Sequence, residues 1–130
     1  MAKYADEIKL HIGQAITNLQ AAKELLAQAQ YEAAVTRAAE AAVDTGRALL
    51  FDEGLEDSQH GDVISQIQQI FVNGRRLTRE QGEKLVWLAR LGEAQKSATT
   101  TAPPLIAGEA QKAVEFAESF FEAARVIIEA

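Results

Sequence analysis

Apolar residues recur every three or four positions along almost the whole chain, and no segment alternates in the manner of a β-strand. Side chains at that spacing share one face of an α-helix, which can then pack against other helices. We therefore predict an all-α fold. The predicted helices cover about 5–29, 31 to just before Gly54, a short stretch around 63–71, 79 to about 96, and about 105–128.

Residues that stop or start helices mark the ends of these segments. Gly54 and Asn73-Gly74 favour helix termination, because glycine tolerates the left-handed backbone that follows a last turn. Thr78 and Gln81 have the spacing of a capping box, in which each side chain bonds the backbone amide of the other residue. Pro103-Pro104 interrupts the fourth helix and suits the first turn of the fifth.

The connection between the first two helices is very short, which makes them antiparallel neighbours. We predict a single domain over residues 1–130, folded as an antiparallel up-and-down bundle of four long helices and one short helix. The alanine-rich second helix is expected at the bundle centre or in a subunit interface. Alanines at helix-facing positions should let helix axes approach closely; these are Ala38, Ala41, Ala42, Ala113, Ala117 and Ala124.

Composition and charge narrow the possible functions. The 130 residues include no cysteine, which excludes disulfides and thiolate zinc sites. Acidic residues outnumber basic ones by 19 to 13, so neither a broadly basic nucleic-acid binder nor DNA binding is expected. No apolar run approaches the roughly 18–20 residues of a membrane span. The N-terminal residues lack the apolar core of a signal peptide, so we expect a cytoplasmic protein without membrane contact.

The charges are unevenly distributed along the chain. Residues 52–62 carry five acids and no base, whereas 75–96 carry six bases and three acids. The basic stretch could hold phosphate groups, or it could be an ordinary mixed surface. Arg37 and Arg47 lie near the apolar face of the second helix, where Glu40 and Asp44 are candidate ion-pair partners one turn away.

Residue patterns typical of metal, cofactor or hydrolase sites are not found. The only histidines, His11 and His60, do not follow glutamates at the spacing of a di-iron bundle. The carboxylates of residues 57–62 surround His60, but a solvated loop is the better interpretation than a metal site. No glycine-rich phosphate-binding motif or serine-nucleophile motif is present. We therefore expect neither a metal nor a cofactor.

Several short stretches together resemble a known family in order and spacing. They are residues 21–26, 31–38, 46–50, 54–55, 58–60, 63–64, 71–72, Leu85, Leu88, Arg90, Ala110, Ala113, 117–118 and 120–121. The chain resembles HEPN domains (higher eukaryotes and prokaryotes nucleotide-binding) over about residues 15–129. The resemblance implies a bundle of four or five helices, which usually pairs as a homodimer. It also implies kinship with small prokaryotic proteins, several of which are toxins partnered by a nucleotidyltransferase antitoxin.

Active members of that family are metal-independent ribonucleases with an arginine and, a few residues later, a histidine on the helix that corresponds to the fourth here. Arg90 matches the arginine, which holds the phosphate. The histidine is missing, since Gln95 and Ser97 bracket its place and neither transfers a proton near neutral pH. Paired tyrosines common in the second helix of close relatives are replaced by Ala39 and Glu40.

The resulting hypothesis is a non-catalytic domain that binds a partner protein, a nucleotide or RNA in a dimer cleft near Arg90. Arg37, Arg47 and Lys96 are further candidate phosphate contacts, and no catalytic residue is assigned. One alternative is a toxin-like ribonuclease that uses other residues, with His60 as its base. The other is a purely structural interaction bundle without a polar cleft.

Overall fold

The computed structural model of the protein describes residues 4–55, 63–96 and 107–129, and within these ranges every regular element is helical. A π-helical turn, Gln68–Val72, continues α3 directly, so the two form the one short helix. The all-α prediction is confirmed. The α-helices of the described residues are α1 (Ala5–Ala27), α2 (Tyr31–Asp52), α3 (Val63–Ile67), α4 (Arg79–Lys96) and α5 (Ala107–Glu129).

The predicted helix ends agree closely with the observed ones. The capping box at α4 is confirmed: the Gln81 amide donates to Thr78 Oγ1 at 3.0 Å, and the Thr78 amide donates to Gln81 Oε1 at 2.8 Å. Gly54 follows α2 with a φ of +82°, the left-handed conformation expected after a helix end. The proline pair lies outside the described residues.

Helix α2 lies at the centre of the bundle and packs against α1, α3, α4 and α5. Ile8 near the start of α1 packs with Phe51 near the end of α2, so these helices are antiparallel. Ile128 near the end of α5 reaches the same cluster, which makes α5 antiparallel to α1. All six alanines expected at close helix contacts are buried. The central position of α2 accounts for its wide apolar surface within one chain.

The contacts of α2 with α3 and α4 depend on glycines. A Cβ on Gly46 would lie 2.9 Å from Val63 Cγ1, and one on Gly92 would lie 2.5 Å from Ala39 Cβ. Both separations are below normal van der Waals contact, so a side chain at either position would push the helices apart. Glycine at these positions brings α3 and α4 close to the charged part of α2.

The turn between α1 and α2 closes with a residue in an unusual conformation. Ala29 has a φ of +59°, in the left-handed region that costs an L-residue about 1–2 kcal/mol. Its amide donates to the Leu26 carbonyl at 3.0 Å, and the Gln30 amide donates to the Leu25 carbonyl at 2.9 Å. The backbone of this tight turn is therefore hydrogen-bonded despite the strain.

None of the helices in the described ranges combines the length and apolarity that crossing a membrane requires.

Candidate functional site

A groove of about 890 Å³ lies between α2, α3 and α4. Apolar side chains from all three helices form part of its lining, among them Val43, Ile64 and Val86. Ser65 and Gln68 add uncharged polar groups from the α3 side. We name this cavity the Arg90 groove, because Arg90 lines it near the middle of α4.

The Arg90 groove contains charges of both signs in equal number. Its cations are Arg47, Arg90 and Lys96, and its carboxylates are Glu40, Asp44 and Glu93. Arg47 Nη1 lies 3.9 Å from Asp44 Oδ1, and Lys96 Nζ lies 3.9 Å from Glu93 Oε1. Arg90 is exposed, and no carboxylate of residues 4–55, 63–96 or 107–129 lies within ion-pair distance of it. Its guanidinium is therefore the groove cation best placed to bind an incoming anion.

Three of the four predicted phosphate contacts lie together in this groove. Arg47, Arg90 and Lys96 line it, whereas Arg37 is not among its described lining residues. Arg37 Nη1 instead donates to Asn18 Oδ1 at 3.1 Å and lies 3.7 Å from Glu40 Oε2. Both carboxylates predicted as partners of the α2 arginines lie within ion-pair distance of one, Glu40 of Arg37 and Asp44 of Arg47.

The remaining candidates add less to the site. His60 and Ser97 lie outside the described residues, as does the acidic cluster of 57–62. The Gln95 side-chain amide donates to the Leu91 carbonyl at 3.3 Å, within its own helix. Among the described residues, no group of three or more histidines, aspartates and glutamates could hold a metal ion.

Asp44 connects the groove to α1, a connection that the sequence did not suggest. Asn18 Nδ2 donates to Asp44 Oδ2 at 3.0 Å, and His11 Nδ1 lies 3.8 Å from Asp44 Oδ1. The His11 ring also stacks on Phe51, with centroids 5.6 Å apart. Two α1 side chains therefore reach the carboxylate that pairs with Arg47.

Burial is the main influence on the pKa of the Asp44 carboxyl group. Asp44 is only 8% exposed, and the loss of solvent raises its pKa above the usual value for an aspartate. The Asn18 hydrogen bond and electrostatic interactions with His11 and Arg47 lower the pKa, and the Glu40 charge raises it. Desolvation is the largest of these effects, so the net shift is upward.

A sequence signal for the α1 residues was present. His11 and Asn18 are seven residues apart, and each immediately precedes a residue of the apolar α1 stripe, Ile12 or Leu19. Polar side chains at that spacing share one side of a helix. Two such residues beside a buried stripe indicate a polar contact with the neighbouring helix.

Comparison of the sequence with known proteins identifies the family of the chain. The chain has no match among curated protein sequences. The sequence profile of the HEPN domain matches residues 8–127, nearly the whole chain, and that range includes all the groove residues. The match contains α2, α3 and α4 entirely and all but the ends of α1 and α5. The chain therefore belongs to the HEPN domain family.

Proposed function

We propose that the Arg90 groove binds the phosphate group of a nucleotide or of RNA, with Arg90 as the principal contact, and that the protein does not cleave its ligand. The observation that carries this proposal is the exposed Arg90 guanidinium at the groove, without an ion-pair partner among the described residues. A guanidinium presents a planar set of donors that matches phosphate oxygens two at a time.

The rest of the lining fits the same class of ligand. Arg47 and Lys96 supply further positive charge to phosphate oxygens. The apolar groups of Val43, Ile64 and Val86 offer a surface on which a nucleobase can lie. Because the three carboxylates balance the three cations, the groove attracts anions through local geometry rather than through a broad positive field.

The non-catalytic part of the proposal rests on the missing proton-transfer group. No histidine is found among the described residues that line the groove. Gln95, near the place of the family's histidine, has an amide that neither accepts nor releases a proton near neutral pH. Phosphate binding requires only Arg90 and its neighbours, whereas strand cleavage requires a base as well.

The test measures the affinity of the protein for a fluorescently labelled short RNA and for a mononucleotide at fixed ionic strength. Arg90→Ala should weaken binding at least tenfold, because a charge-assisted hydrogen bond contributes about 1.5–3 kcal/mol. Arg79→Ala is the matched control: it removes the same charge from the same helix, at an exposed residue paired with Glu83 outside the groove lining. Equal losses in both variants would show non-specific attraction and overturn the proposal.

Cleavage is tested separately, by incubating the pure protein with mixed RNA in a chelator. We expect the RNA lengths to remain unchanged. Robust cleavage that Arg90→Ala abolishes would refute the non-catalytic role. Loss of that cleavage in His60→Ala would favour the toxin-like ribonuclease with His60 as base. No binding of RNA or nucleotide at any concentration would favour a structural bundle.

We further propose that the protein is a homodimer and that its protein partner is a nucleotidyltransferase of the toxin–antitoxin type. Both proposals come from the family resemblance. The exposed apolar side chains of Leu10 and Ile16 on α1 and of Val126 on α5 are compatible with a protein interface. Sedimentation at micromolar concentration should give twice the monomer mass.

The proposal of a nucleotidyltransferase partner has its own test. Co-purification with a genomically adjacent nucleotidyltransferase would support it.

A further inference from the structure

Asp44 occupies an unusual position for a charged residue. It lines the Arg90 groove, yet its side chain is only 11% exposed. Its carboxylate is held from α1 by the 3.0 Å Asn18 hydrogen bond and lies 3.9 Å from Arg47. One carboxyl group therefore contacts both the interior of the bundle and a cation of the groove.

The groups that face Asp44 come from two helices. From α1 these are Asn18 and His11; from α2 they are Arg47 and Glu40. Helix α4 contributes Arg90, Glu93 and Lys96 to the same groove lining. Among the described α3 residues that line the groove, none is charged, and α5 contributes no described residue to it.

We propose that Asp44 sets the charge of the groove beside Arg47, so that anion binding strengthens when Asp44 takes up a proton. The inference rests on the proposed phosphate binding and adds its regulation. An ionised Asp44 attracts the Arg47 guanidinium and repels an incoming anion. Protonation removes that repulsion while the Asn18 contact keeps the side chain in place.

The direction of the pH dependence follows from linkage. Because the neutral form of Asp44 favours a bound anion, binding draws a proton onto the carboxyl group. Affinity is therefore highest below the pKa of Asp44 and falls as pH rises through it. Burial places that pKa above the ordinary aspartate value. The transition should accordingly lie above the pH at which exposed aspartates titrate.

The experiment uses a dinucleoside monophosphate as the probe, since its phosphodiester keeps one charge across the measured range. A monoester would itself titrate near pH 6. Binding is measured by calorimetry from pH 7.5 down to pH 4.5 at constant ionic strength. At pH 7.5, Asp44→Asn should bind roughly three- to tenfold more tightly than the unaltered protein, as expected for removal of one nearby like charge. The two affinities should converge as pH falls.

Asp52→Asn is the matched control. Asp52 lies on the same helix, its pKa is also raised by burial, and it is not among the residues that line the groove. This variant removes the same charge, so the protein's net charge changes equally. Its affinity and its pH profile should match those of the unaltered protein.

Asn18→Leu tests whether the pH dependence of binding comes from Asp44, because a residue that only supports the fold would not change the midpoint of the affinity profile. Loss of the Asn18 hydrogen bond removes a contact that lowers the pKa of Asp44, so the midpoint of the affinity profile should move to higher pH. His11→Gln removes the imidazole ring and separates its contribution from that of Asp44. Asp44→Ala should bind more weakly than Asp44→Asn, because only asparagine keeps the contact with Asn18. Thermal unfolding establishes that each variant is folded.

Three results would overturn the inference. One is an Asp44→Asn affinity equal to that of the unaltered protein at pH 7.5. Another is an identical change in Asp52→Asn, which would assign the effect to net charge. A third is an unchanged midpoint in folded Asn18→Leu. In each case Arg90-dependent binding at pH 7.5 would still stand, whereas no binding at any pH would refute both the phosphate site and its regulation.

Discussion

The two sides of α2 differ in what they bury. On the side turned away from the groove, α2 packs small apolar side chains such as Ala38 and Ala42, which are at most 2% exposed. Toward α3 and α4, it presents Glu40, Asp44 and Arg47 to a groove. The first side is held by close apolar packing, and on the second Gly46 and Gly92 allow α3 and α4 to approach α2 closely. One helix thus contributes both to the close-packed core and to the groove that we propose binds a phosphate group.

The largest expected effect lies on the apolar side. Phe120 of α5 is fully buried, and Phe120→Ala should lower the free energy of unfolding by about 3–5 kcal/mol, because a cavity remains. Urea denaturation measures the loss. The control Val126→Ala alters an α5 side chain that is 70% exposed and should change stability by less than about 0.5 kcal/mol. Similar losses in both variants would contradict the distinction between core and surface.

A smaller effect is expected where α4 approaches α2. Gly92→Ala places a methyl group 2.5 Å from Ala39 Cβ, so α4 must shift, at a cost of about 1–3 kcal/mol. Because Arg90 is two residues away, binding of the labelled RNA should weaken as well. Urea denaturation and the binding of labelled RNA are measured on the same samples.

Gly13→Ala is the control for this substitution. A Cβ on Gly13 would meet no atom within 4 Å, and Gly13 lies in the interior of α1. Alanine there should therefore stabilise the protein by about 0.5–1 kcal/mol through helix propensity, without altering binding. A destabilised Gly13→Ala, or an unaffected Gly92→Ala, would argue against close helix approach as the role of Gly92.

The smallest effect of the three is expected at the start of α4. Thr78→Ala removes the side-chain acceptor of the Gln81 amide and should cost about 1 kcal/mol in urea denaturation. Thr17→Ala is the control, since the Thr17 hydroxyl donates to the Gly13 carbonyl within an exposed turn of α1. RNA affinity should remain unchanged in both. A weaker affinity in Thr78→Ala would indicate that the start of α4 also positions Arg90.

Much of the fold was predictable because its determinants are local. Apolar spacing gave the helices, and Gly54 and the Thr78–Gln81 pair gave two of their ends. The π-helical turn Gln68–Val72 was not predicted. The apolar residues Ile67, Ile70 and Phe71 have the spacing of an ordinary α-helix, so the sequence pattern does not distinguish the two conformations.

The site was less predictable because it depends on contacts between helices. The sequence places both Arg37 and Arg47 on α2. Because they are ten residues apart, their side chains point in directions that differ by roughly 80° around the helix axis. Only the packed structure shows that Arg47 lines the groove and that Arg37 contacts Asn18. The contacts of His11 and Asn18 with Asp44 could not be predicted either, because the sequence does not show which side of α2 is covered by α1.

The left-handed alanine at the α1–α2 turn has a practical consequence for protein engineering. Glycine adopts the conformation of Ala29 without steric cost, so Ala29→Gly should raise the urea midpoint, by up to about 1 kcal/mol in unfolding free energy. The turn is not part of the groove lining. A protein stabilised there would tolerate costly substitutions elsewhere, and it would serve as the parent molecule in which variants of Arg90, Asp44 and Gly92 stay folded long enough to be measured.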